Sequence, residues 1–376
     1  MDGVVRVKFS MLLMTLILVL TPLTSLPIDS KTLDIDTPEN NTVTKAQTTW
    51  SGLIQLSESY TVSVTDELVI SPCTTVELSA STRLFVEGRL IVQGNNSCPV
   101  VFSKLTTGLH YGIQFNSSSS GRGSIIENIT IEDATYGITV YGSDPQINNV
   151  TITNPSRVGI DLFSSANPII HDLIINQAGK GFSYADWRYG LGLSVGAGST
   201  PIVERATMTD LRIRGLNIWG SSGGIYHEIS IDNVSAEGAN AISAGVWIED
   251  SQPLITDLSV DKSDYGILIR HVSDGGFTRA VVRDCIVTNS MYRGIYVDKA
   301  NHTNFTNYET ADFTNTIVRG TGGPNAKTAG IGFAAIEVNA TGAWFENTTV
   351  EDSTTVGVRL YFVDASTTFR NLTITD

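Results

Sequence analysis

Positive charge is scarce in this sequence: eight lysines and 16 arginines stand against 38 acidic residues, for a formal net charge of −14. A surface this acidic repels phosphate backbones and anionic headgroups, so nucleic acid and charged bilayers make poor partners. It does keep a protein soluble in salt. Helical periodicity is missing throughout, and after residue 20 no apolar run approaches the length of a membrane span. Cysteine is rare as well, with only Cys73, Cys98 and Cys285. What remains is a 376-residue chain, 41% hydrophobic and rich in glycine, long enough for one large core or two ordinary domains.

The one long apolar run is at the start. Arg6 and Lys8 precede MLLMTLILVL (11–20), and Pro22 closes it. That pattern predicts a secretory signal peptide over 1–25, with an uncleaved signal anchor as the alternative. A Thr/Asp-rich linker follows over 26–49. Export makes a disulfide possible, and the 25-residue separation of Cys73 and Cys98 is close to the repeat length described next. Cys285 is expected as a buried small apolar residue. Eleven Asn-x-Ser/Thr triplets, Asn128 and Asn149 among them, admit glycosylation, but several belong to the repeat itself.

From residue 125 the chain repeats a phrase. NITIEDATYGITV (128–140) is followed by NVTITNPSRVGIDL (149–162), and equivalents of Ile131 recur at Ile152, Ile175, Met208, Ile231, Val260, Val287, Val318, Val350 and Ile374. One place before these positions, Thr or Ser fills seven of ten; two places after, Asp or Asn fills seven of ten. Alternation of this kind marks short strands, with a polar residue outward and Asn or Asp at a left-handed corner. A Gly-apolar step then opens a second strand, as at Gly137-Ile138 and Gly159-Ile160, and a Pro-containing turn leads to a third. Such units cannot bury their apolar faces alone and must stack. The fold expected is all-β, a single-stranded right-handed parallel β-helix solenoid of about ten or more coils.

With these residues in view, the sequence resembles the right-handed parallel β-helix repeat family, the pectin-lyase-like superfamily, in its exported surface-protein form. The resemblance covers about residues 50–376, with N-terminal coils over 50–124 and regular repeats over 125–376. Because the last repeat ends at NLTITD (371–376), the chain is expected to be truncated at its C-terminus, so that further coils or an anchor would follow. The resemblance implies fold far more than activity, since the family holds lyases, hydrolases, epimerases, adhesins and silent surface proteins. The Arg-x-Pro-x-x-Arg of pectate lyases and the Asp-Asp, Asn-Thr-Asp and Gly-His-Gly of polygalacturonases do not occur here.

Two sets of residues invite a chemical role. His171, Glu204 and His227 occupy one column on three consecutive coils, placing a carboxylate between two imidazoles for proton transfer or a metal; a surface polar ladder is the plainer reading. The metal question is left open: calcium is conceivable for the Asp/Asn columns, but no clustered calcium motif supports it, and no cofactor is expected. The second set sits in the longest inserted loop, NQAGKGFSYADWRYG (176–190), which concentrates Tyr184, Asp186, Trp187, Arg188 and Tyr189. Aromatics beside Asp and Arg suit sugar faces and hydroxyls. The reading favoured is therefore a secreted or cell-surface carbohydrate-binding or adhesive module, leaning away from catalysis. A polysaccharide-processing enzyme and a structural spacer are the alternatives. The partners expected are polysaccharide or glycan and surface proteins, with membrane contact only through an anchor.

Overall fold

Short alternating strands closed by Gly, Asn and Asp corners give the chain little choice but to wind and stack, and the computed structural model shows that winding. It describes residues 46–181, 189–236, 242–272, 278–298, 311–322, 334–354, 356–361, 363 and 365–376, within one compact unit spanning 43–376. Two parallel sheets run along the stack, one of 16 strands and one of 12, and the main path of the larger holds 13 strands. Each strand pairs in parallel with its equivalent one coil on, as Ile125–Glu132 pairs with Gln146–Thr153 and that strand with Ile169–Asn176. The first strand, Gln47–Trp50, begins within the stretch read as linker. Among the described residues no helix is long and apolar enough to cross a membrane.

One detail differs from the sequence reading. The strand after each Pro turn and the first strand of the next coil are fused into a single long strand, bent at its middle. The bend is one left-handed residue, at Asn128, Asn149, Asp172, Asn315 and Asn347 among others, with φ between 49° and 55° at these five. A left-handed L-residue costs about 1–2 kcal/mol, least for Asn and Asp. Here a ladder of side-chain hydrogen bonds offsets that cost: Asn315 Nδ2 donates to Asp284 Oδ1 at 2.9 Å, and Asn347 Nδ2 to Asn315 Oδ1 at 3.0 Å. The corner column is left-handed too, at Asp133, Asn154, Asp210 and Asn233, with Asn154 donating to Asp133 at 2.7 Å.

In the first coils the two halves of the long strand are still separate. Glu67–Ile70 pairs with Arg89–Gln93, and Thr75–Leu78 with Val100–Lys104. Both feed into Ile125–Glu132, whose two halves continue them. The turns between these halves carry Cys73 and Cys98, which form a disulfide with their Cα atoms 4.8 Å apart. The bridge thus ties together two coils at the place where later coils use an asparagine.

Inward positions stack by identity. Ile126, Ile129 and Ile131 lie over Ile147, Val150 and Ile152, all at most 2% exposed. Each such side chain is worth about 1.5–3 kcal/mol of burial. Cys285 belongs to the same interior, fully buried as a free thiol. Further along, Phe313, Phe345 and Phe369 stack face to face at 4.9 and 4.6 Å.

Candidate functional site

Outward positions on a solenoid sheet are normally wet. On the smaller sheet one column is dry: Thr139, Asp161, Ser194, Asn217 and Trp247 are each at most 5% exposed. They form one register column on five successive coils. In sequence each is the residue directly after a Gly-apolar step, so GITV, GIDL, GLSV, GLNI and GVWI put Thr, Asp, Ser, Asn and Trp side by side. The N-terminal part of this column opens into a cavity of about 460 Å³, lined by Thr139, Tyr141, Asp161, Phe163, Ser194 and Trp219 among others.

Aromatic rings wall the cavity. Tyr141 and Phe163 stack at 5.5 Å, and Phe163 meets Trp219 edge-on at 6.0 Å. Trp219 can lie there because the coil between carries Gly196: a Cβ on that glycine would fall 2.4 Å from an indole carbon. The glycine is needed for the room it leaves rather than for its backbone angles.

Asp161 is the chemical centre of this cavity. Burial pushes its carboxyl up to about 7, while the neighbouring Ser194 hydroxyl pulls weakly the other way. A carboxyl in this position holds a proton near neutrality and can give or take it. Its Oδ1 is buried without a hydrogen-bond partner among the described residues, and so are Asn217 Nδ2, two coils on, and Trp219 Nε1. Buried polar atoms nearly always find partners, and of these three residues Asp161 and Trp219 line the cavity, so a polar group entering it could meet an acceptor and a donor there. The other carboxylate of the column, Glu337, is differently placed: Arg293 holds it at 2.9 Å and Arg359 at 3.3 Å, a closed ion network.

A second cavity of about 390 Å³ adjoins the first, sharing Arg83 and Tyr136 with it, and is lined also by Tyr111, Arg157 and Tyr189. Arg157 donates to the hydroxyl oxygens of Tyr136 at 2.8 Å and Tyr189 at 2.7 Å. Burial opposes the Arg157 charge, but those tyrosine hydrogen bonds outweigh it and raise its pKa.

The residues singled out from sequence fall in three places. His171, Glu204 and His227 do stand in one register column, on the outer face of the larger sheet. His171 Nδ1 lies 3.0 Å from Glu204 Oε2, whereas His227 turns to Asp257 at 3.0 Å and to Thr256 Oγ1 at 2.9 Å. The three are solvent-accessible and line neither cavity. Among the described residues no group of three His, Cys, Asp or Glu side chains is arranged to hold a metal. Tyr189 lines the second cavity, while Tyr184, Asp186, Trp187 and Arg188 lie outside the described residues. Sequence reasoning missed Asp161. The signal was available, because Asp161 and Glu337 are the only carboxylates directly after a Gly-apolar or Ala-apolar step in the described coils of this sheet.

Fold and groove together define a parallel β-helix with a buried acid in an aromatic cleft. The sequence itself places the chain: residues 88–309 match the family described as right handed beta helix region, and the chain belongs to that family. No curated protein matches it. Among solved structures, similar ones include an alginate lyase from Paenibacillus sp., at 13% identity over 83% of this chain and 99% of that one, with a TM-score of 0.44. The Azotobacter vinelandii mannuronan C-5 epimerase AlgE6 A-module aligns at 10% identity over 82% and 90%, with a TM-score of 0.48. The catalytic unit of an α-1,3-glucanase from Streptomyces thermodiastaticus aligns at 12% over 87% and 61%, with a TM-score of 0.42. At such identities the likeness shows the fold alone. The leaning away from an enzyme is nonetheless corrected: it rested on missing lyase and polygalacturonase signatures, and with an alginate lyase, an epimerase and a glucanase among the similar solved structures those absences do not argue against catalysis.

Proposed function

We propose that the chain is an exported polysaccharide-processing enzyme whose groove lies on the smaller sheet, with Asp161 as its proton-transfer group. The observation that carries this reading is a buried carboxyl, its pKa pushed up to about 7 and its Oδ1 without a partner among the described residues, lining an aromatic-walled cavity. Tyr141, Phe163 and Trp219 offer ring faces to sugar rings, and the Trp219 indole N–H and Ser194 hydroxyl offer donors to sugar hydroxyls. Asp161, protonated, gives its proton to the oxygen that leaves as a glycosidic C–O bond breaks, while a water molecule bonds to the anomeric carbon and releases a proton to solvent. In its ionised form it accepts a proton from the sugar carbon in an elimination or epimerisation. Both steps use a carboxyl poised near the working pH. Tyr189, from the inserted loop, extends the sugar-contacting surface into the second cavity.

The test is to incubate the secreted protein with a panel of neutral and uronate polysaccharides. Reducing ends, unsaturated ends and changed epimer composition are then read out. The reading expects product from at least one polysaccharide; a panel with no product by any readout sinks it.

A further inference from the structure

The second cavity has its own chemistry, because several arginines of this acidic chain meet a carboxylate and, among the described residues, the two that line this cavity do not. Arg89 meets Glu67 at 2.7 Å, Arg205 meets Asp172 at 2.7 Å, Arg293 meets Glu337 at 2.9 Å and Arg319 meets Glu351 at 2.7 Å. Arg83 and Arg157, which line the groove, contact no carboxylate among the described residues. Arg83 donates to Gln114 Oε1 and lies over the rings of Tyr111, at 4.6 Å, and Phe85, at 5.3 Å. Arg157 is held by Tyr189, its guanidinium 4.5 Å from that ring, and by Tyr136, at 5.8 Å.

The two arginines line the same cavity. Their coils are three steps apart on the smaller sheet, about 14 Å at the usual strand spacing. Arg83 leans one way over Tyr111, and Arg157 leans the other way over Tyr136. Those two rings are 6.2 Å apart. Both guanidinium groups line one cavity without a counter-charge among the described residues, and each retains N–H donors beyond those used on Gln114 and the tyrosines. A planar anion in that cavity would supply the counter-charge and accept hydrogen bonds from the guanidinium forks.

We propose that the Arg83–Arg157 cavity is a subsite for an anionic sugar unit, carrying a uronate carboxylate or a sulfate ester, next to Asp161. The inference rests on the polysaccharide reading above and adds the substrate class. Tyr136, shared by the two cavities, supplies the wall between the anionic unit and the reacting one.

The experiment measures binding by calorimetry with D161N, which slows turnover. The probes are an oligogalacturonate, its carboxyl-reduced counterpart and a sulfated neutral oligosaccharide. The subsite predicts that an anionic probe binds at least tenfold tighter than the reduced one, with a preference that weakens as salt rises. The R83Q/R157Q double variant should lose that preference while still binding the reduced probe, which also shows that it folds. R83K/R157K should retain part of it. Which anionic probe wins separates carboxylate from sulfate. Equal affinity for anionic and reduced probes, or a preference that survives R83Q/R157Q, overturns the subsite. A double variant that binds nothing is judged on R83K/R157K, where a reduced or lost preference supports the subsite and an undiminished one overturns it. Anionic preference in a protein that processes no polysaccharide would instead sink the enzymatic reading and leave the subsite standing.

Discussion

Replacing Asp161 with asparagine should separate stability from function and make the separation depend on pH. In the folded protein the carboxyl titrates at about 7 rather than at its ordinary 3.8, because burial disfavours its charge. Below about pH 4 both folded and unfolded chains carry the proton, and the site costs nothing. As pH rises the unfolded chain ionises first, so the folded state loses stability until the folded carboxyl also ionises near 7. At about 1.36 kcal/mol per pH unit the whole interval is worth about 4 kcal/mol. The amide introduced by D161N keeps the shape of the carboxyl and does not titrate. Urea unfolding of wild type and D161N, from about pH 4 to about pH 8, should therefore show the variant gaining on the wild type by about 4 kcal/mol. Other titrating groups are common to both proteins and drop out of the difference. A difference that stays flat across this range, or one that shrinks as pH rises, refutes the buried acid.

Two further substitutions test the scaffold. Asn315 combines a left-handed backbone, φ 54°, with a ladder bond to Asp284 at 2.9 Å. Asn315→Ala should cost about 2 kcal/mol in urea unfolding, and Asn315→Gly about 1 kcal/mol, because glycine keeps the backbone and loses only the two exposed ladder bonds, to Asp284 and from Asn347; equal costs would remove the strain argument. Thr316 is fully buried with its Oγ1 unsatisfied among the described residues, stacked between Cys285 and Thr348. Thr316→Val should raise the urea midpoint, by about 1 kcal/mol of stability, whereas a fall would show that the hydroxyl has a partner.

The scaffold was legible because a solenoid writes its geometry in every coil. Ile129 and Ile131 point inward with their counterparts one coil on, and Asp133 and Asn154 turn left-handed where the column of Asp and Asn lies. The fused strand was harder to read, since Asn128 bends the chain without interrupting pairing, and a turn and a bent strand look alike in one sequence. The groove was harder still. Asp161 sits in GIDL, where an outward Asp on a strand reads as ordinary surface, and only the stacking of Tyr141, Phe163 and Trp219 around it makes the position dry. Likewise, the pairing of Arg83 with Arg157 joins residues 74 positions apart, a juxtaposition set by register rather than by any local pattern. His171, Glu204 and His227 show the converse: a column can be read correctly from sequence and still face open solvent.

The central claim is that Asp161 transfers the proton in the groove. On whichever polysaccharide the wild type converts, the account predicts that D161N, folded by its urea transition, is slower by about 100-fold or more, and that the wild-type pH–rate profile has an inflection near 7. A rate that falls above that inflection marks Asp161 as the acid, and one that rises through it marks the base. A D161N variant within a few-fold of wild type, with no inflection near neutrality, would contradict the account.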